Sequence, residues 1–208
     1  MTDDKGTSPV LTWPNVPRLA FGSGAEAYLN ATVSWALGNP RDLTHYIDGY
    51  REAAEAVFER VDAGASPDHM LFPFAFLWRH CIELRLKEII AIGRSLDGKK
   101  WGFPEHHRLL DLWREAKSYV IQTAPKGGKR PEVRNVEANI KEFEKIDPSA
   151  EGFRYSLDKK GKRSLPRAPN LVNLRVLHEA VTAVANLLSG VSSMLQERLE
   201  YMMQRPES

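Results

Sequence analysis

A single cysteine, Cys81, serves all 208 residues. One thiol excludes an intrachain disulfide framework and any multi-cysteine zinc site. Long apolar runs are missing as well, and none approaches the roughly 20 residues that a membrane span needs. Excess charge is scarce: 29 Lys and Arg stand against 27 Asp and Glu. No global field therefore draws the chain to nucleic acid or to a lipid surface, and any such preference must be local. Met1 to Ser8 has neither the basic patch nor the apolar stretch of a signal peptide. There is no Gly-x-Ser-x-Gly elbow, no internal repeat and no low-complexity tract. Gly22-Ser23-Gly24 lacks the lysine and the following hydroxyl of a phosphate loop. Adjacent His106 and His107 point in different directions on a helix, and no further His or acid at HExxH-like spacing completes a metal site. The expectation is a cytoplasmic protein with no membrane contact, no metal and no cofactor.

What is present is apolar periodicity. Hydrophobic residues make up 42% of the chain, enough for one sizeable core. Residues 1–39, with Pro9, Pro14 and Pro17 among scattered aromatics, read as an irregular arm. From Pro40, the residues Leu43, Tyr46, Ile47, Tyr50, Ala54, Val57, Phe58 and Val61 recur at helical steps, with Asn39 as cap and Gly64 as stop. Ser66-Pro67 signals a second start, although Pro73 moves the regular helix to about Phe74. That helix runs to about Leu96, and its segment Phe72 to Trp78 is apolar almost all round, as a helix enclosed by neighbours must be.

A third helix follows Pro104, with Leu109, Leu112, Trp113, Ala116 and Val120 on one face. A fourth follows Pro131 and stops at Asp147-Pro148. Residues 153–165 lose the helical period and read as a short extended segment or hairpin. The last helix runs from about Asn170 to Met203. The predicted fold is an all-α, up-and-down bundle of about five helices over residues 40–204. The last apolar stripe, Leu174 to Leu199, is longer than one subunit of a small bundle can cover, so a homodimer is expected.

Charge is local where it matters. Residues 97–131 hold eight bases against four acids, and residues 152–178 hold seven against one. Each run is either a solvated loop or, if the fold brings both to one end, a phosphate-binding face. In the most apolar helix, Arg79, Glu83 and Lys87 follow one another at i, i+4, with His80 beside them. Buried charges are costly unless paired, so these residues either lock helix register or face a polar cleft. His107 and Asp111 share a helix face at i, i+4, as an acid–base pair or as a cap. Cys81 sits among apolar neighbours and reads as an inert core thiol.

The pattern Pro73-x-x-Phe76-Leu77-x-Arg79-His80-x-x-Glu83-Leu84-x-Leu86-Lys87, then His107-x-Leu109-x-x-Leu112-Trp113, then Phe153-Arg154-Tyr155, resembles helical proteins of the HEPN superfamily over about residues 40–200. The resemblance implies a helical bundle, commonly dimeric, found in toxin–antitoxin, defence and RNA-processing systems. Many members are metal-independent ribonucleases, and others are partners or nucleotide-binding modules. Their ribonuclease signature, Arg followed after four to six residues by His, is not intact: the nearest match is Lys100, six residues, then His107. Lysine carries charge without the planar fork that grips phosphate at two points. The leading expectation is thus RNA or nucleotide binding through a polar cleft. Arg79, Glu83, Lys87, Lys100, Asp111, Arg154 and Tyr155 are the candidate ligand-binding residues, and His107 and His80 are the proton-transfer candidates. An active ribonuclease using the same cleft, and a structural partner with no ligand, are the alternatives.

Overall fold

Apolar residues at steps of three and four set five α-helices in the computed structural model, which describes residues 27–33, 42–123 and 130–204. They are α1 (Thr44–Asp62), α2 (Pro67–Leu96), α3 (Leu109–Thr123), α4 (Pro131–Ile146) and α5 (Leu174–Gln204). No strand occurs among the described residues, and the fold is an all-α bundle. Each helix packs on the next, as an up-and-down order requires, and α2 also packs along α5.

The 30-residue α2 is the axis. Phe74, Trp78, Ile82, Leu86, Ile89 and Ile90 are fully enclosed, and Leu112, Trp113, Ile140, Val181 and Leu188 meet them from the other helices in one apolar cluster. Close approach at the far end depends on Gly93, where an added Cβ would lie 2.5 Å from the Tyr119 ring of α3. Only glycine lets those two helices come that near.

Several element boundaries differ from the sequence expectation, each for a local reason. Helix α2 begins at Pro67 and not near Phe74. Proline is well suited to the first turn, and Pro73 is accommodated inside, where it removes only one N–H from the ladder. Phe72 is 46% exposed, so the enclosed stretch starts at Phe74. Ahead of α1, whose N-cap position is Leu43, Asp42 Oδ1 accepts from Thr44 N at 2.8 Å; Asn39 and most of the 1–39 arm lie outside the described residues. Gly64, at φ 99°, ends α1 as expected of a left-handed stop. Helix α5 starts at Leu174, because Asn173 Oδ1 accepts from the N–H groups of Arg175 and Val176. The 153–165 segment is less extended than expected: one antiparallel bridge, Leu157 with Arg163, closes a ribbon around Asp158. Asp158 Oδ1 accepts from Lys160 N and Lys162 N, which turns the chain there and holds the carboxyl below its ordinary pKa.

The length of α5 finds a match within the subunit. Its 31 residues run beside the 30 of α2. The apolar groups left exposed on it are Val176, Met194 and, at the end, Tyr201, Met202 and Met203. Among the described residues no helix is long and apolar enough to cross a membrane.

Candidate functional site

Three charges of α2 at i, i+4 spacing form a stripe that the fold buries: Arg79 is 3%, Glu83 1% and Lys87 5% exposed. Glu83 is the centre. Arg79 Nη1 donates to its Oε2 at 3.1 Å, Lys87 Nζ to its Oε1 at 3.0 Å, and His107 Nδ1 lies 2.7 Å from that same Oε1. Burial pushes the Glu83 carboxyl up, but the His107 and Lys87 hydrogen bonds, with the charges of Lys87 and Arg79, outweigh it and hold the pKa below its usual value. An ionised carboxylate only accepts, so His107 carries a proton on Nδ1 and, when neutral, has its lone pair on Nε2. The His107 side chain is 62% exposed, which leaves Nε2 on the solvent side.

The stripe is tied to two other parts of the chain. Arg79 Nη2 donates to the backbone carbonyl of His107 at 2.8 Å, fixing the loop ahead of α3. Arg79 Nε stands 3.6 Å from Oδ2 of Asp147, a carboxylate only 1% exposed at the end of α4. Asp147 Oδ1 accepts from Gly152 N at 3.0 Å, Glu151 N at 3.2 Å and Ser149 Oγ at 3.3 Å. The turn it gathers carries Ala150 at φ 63° and packs Gly152 where a Cβ would lie 2.2 Å from Leu165. Two cations and two carboxylates thus balance inside the bundle, as buried charge requires.

Aromatic rings extend the cluster toward the surface. His80 stacks on Phe76 at 5.8 Å and 8°, and meets Tyr50 edge-on at 4.4 Å. The Arg154 guanidinium lies 5.7 Å from the Phe76 ring and 5.5 Å from the Tyr155 ring. His80 is held below its ordinary pKa by burial, with Glu83 opposing and Lys87, Arg79 and His107 adding to the fall. Lys87 Nζ sits 5.5 Å from the Phe103 ring, which closes the far end.

The structure accordingly gathers Arg79, Glu83, Lys87, His80, His107 and Arg154, with Tyr155 half-exposed at the margin. Two candidates stand elsewhere. Asp111 does not bind His107: it pairs with Arg108 at 2.8 Å and Arg114 at 2.6 Å. The reason is the start of α3 at Leu109, which leaves His107 in the preceding loop, where four residues no longer measure one helical turn. Lys100 is exposed in the 97–108 loop and is not among the polar partners of the cluster. Asp147, Phe76 and Tyr50 are the members that sequence reasoning missed. Asp147 announced itself only as a carboxylate before a proline at a helix end. Of the basic runs, residues 124–129 lie outside the described residues, while the 154–167 ribbon follows directly on the Asp147 turn. No group of three or more His, Cys, Asp or Glu among the described residues is arranged to hold a metal ion.

Comparison of the chain with protein-family models, with curated proteins and with solved structures found no match.

Proposed function

We propose that the chain is a HEPN-like module that binds RNA or a nucleotide at the His107–Arg154 face of the bundle. One observation carries the reading: a buried, ionised Glu83 fixes His107 by Nδ1 and presents its Nε2 to solvent. A purely structural histidine has no need of an exposed second nitrogen. The Arg154 guanidinium and the bases of the 159–167 ribbon supply cations for phosphate. The same arrangement favours a second reading, metal-independent RNA cleavage. His107 Nε2 would take the proton of the 2′-hydroxyl as that oxygen bonds to phosphorus, Arg154 would meet charge developing on the phosphate, and the P–O5′ bond would break with the departing oxygen taking a proton from solvent. A defence or toxin–antitoxin setting, in the cytoplasm, goes with this reading. The exposed Tyr201, Met202 and Met203 supply an apolar end for a second copy.

The test is incubation of the purified chain with labelled mixed-sequence RNA in the presence of a chelator, read by anisotropy and on a gel. Binding that weakens in Arg154→Ala and falls steeply as salt rises is the expected result. His107→Ala abolishes any cleavage and largely spares binding, since proton transfer lowers the barrier more than it adds affinity. RNA that neither binds nor is cut at low salt, with no binding of a labelled nucleotide either, overturns both readings.

A further inference from the structure

A cavity lies on a different face of α2. It is a groove of about 690 Å³ between the second half of α2 and the second half of α5, closed at one end by the first turns of α1. Arg85, Glu88, Ile92 and Ser95 supply the α2 side, at positions well round the helix from the Arg79–Glu83–Lys87 stripe. Ser189, Ser192 and Ser193 supply the α5 side, and these short side chains, with Ala91, keep the helices from filling the space. The volume suits a small organic molecule.

Charge selects its class. Among the described residues, Asp42, Asp48 and Glu88 line the groove with one cation, Arg85. Arg85 is already engaged, donating to Glu88 Oε2 at 2.6 Å and standing 3.6 Å from Asp48. Ser192, only 4% exposed, donates to that same Glu88 Oε2 at 2.5 Å. Among the described residues, both donors therefore converge on one oxygen and Oε1 accepts from none. A partly buried carboxylate oxygen left without a donor on the wall of a groove calls for one, and the net negative charge of the described lining calls for a positive one. The wall also holds Thr44 and Gln196, and its apolar part is Ile92, Leu199 and Met203, with Trp101 among the lining residues. Methylenes pack on Ile92, Leu199 and Met203, and an indole attracts ammonium.

We infer that this groove binds an aliphatic polyamine, its ammonium groups on Glu88 and Asp48 and its methylene chain along Ile92, Leu199 and Met203. The site is independent of the His107 cluster and of what that cluster does.

The experiment titrates the full chain, free of nucleic acid, with spermidine, reading heat and the shift of the melting midpoint at constant ionic strength. Saturable one-site binding is expected, with MgCl2 at matched ionic strength unable to reproduce it. Glu88→Gln keeps an acceptor for Ser192 and Arg85 while removing the charge, and should weaken spermidine at least about tenfold, as loss of a charge-assisted bond implies. Ser193→Leu, at an exposed groove position, should block binding without touching that hydrogen-bond set, and stands in if Glu88→Gln fails to fold. Unchanged spermidine affinity in either folded variant, or full displacement by matched MgCl2, overturns the inference.

Discussion

Glu83 and Glu88 leave the same helix five residues apart and meet opposite circumstances. Glu83 has both oxygens engaged, by Arg79, Lys87 and His107, and only 1% of the residue reaches solvent. Glu88 lines a groove, with one oxygen crowded by Arg85 and Ser192 and the other without a donor among the described residues. The difference teaches where each carboxylate can act. A sealed carboxylate fixes its neighbours and reaches a ligand only through them, as Glu83 does through His107. An open one can meet a ligand itself.

The contrast breaks most visibly when Glu83 is removed. Glu83→Ala leaves Arg79 and Lys87 buried with only Asp147 to balance them, and should cost about 3–5 kcal/mol in urea unfolding. A loss under about 1 kcal/mol would mean that the stripe is far better solvated than its burial implies. Glu88→Gln should cost only about 1 kcal/mol, because the amide oxygen still accepts and solvent reaches the groove.

Acid tests the same difference without mutation. The folded Glu83 pKa lies below its ordinary 4.5, so the unfolded chain takes up the proton first. Its stabilisation is complete above that value and is lost as pH falls through the folded pKa. His80 acts earlier. Its folded pKa lies below the ordinary 6.5, so the unfolded chain again binds more protons, and stability begins to fall as pH drops below about 6.5. Urea midpoints measured from pH 8 to pH 5 should decline, and His80→Phe, which keeps a ring between Phe76 and Tyr50, should flatten the decline. An equal slope in that variant would assign the early loss to another group.

These outcomes also mark what the residues disclosed in advance. The bundle was legible because periodicity, proline and glycine agree along the chain, and α3 and α4 lie where Leu109–Val120 and Val133–Phe143 put them. The Arg79–Glu83–Lys87 stripe was legible because charge at i, i+4 within an apolar segment has few explanations. Which groups complete it was not. His107 sits 24 residues from Glu83 and Asp147 sits 68 residues from Arg79, and such contacts depend on how loops cross the bundle ends. The i, i+4 rule pointed His107 toward Asp111 because it assumed a helix that begins two residues later. The groove left even less trace, since serines at 189, 192 and 193 look the same on a solvated face as along a cavity.

The smallest effect belongs to the pair that the helical rule favoured. Asp111 is shared between Arg108 and Arg114, both more than 60% exposed, and exposed pairs of this kind contribute about 0.2–1 kcal/mol. Asp111→Asn should therefore shift unfolding by no more than that, and salt should erase the shift. The decisive comparison is the His107 ring-nitrogen resonances followed by NMR. With Glu83 as partner, Asp111→Asn leaves the His107 Nδ1 resonance in place, whereas Glu83→Gln removes the carboxylate from Nδ1 and shifts it. A His107 resonance that moved with Asp111 and ignored Glu83 would return the histidine to the surface of α3. The buried stripe would then be packing alone, with no outward-facing nitrogen to serve a ligand.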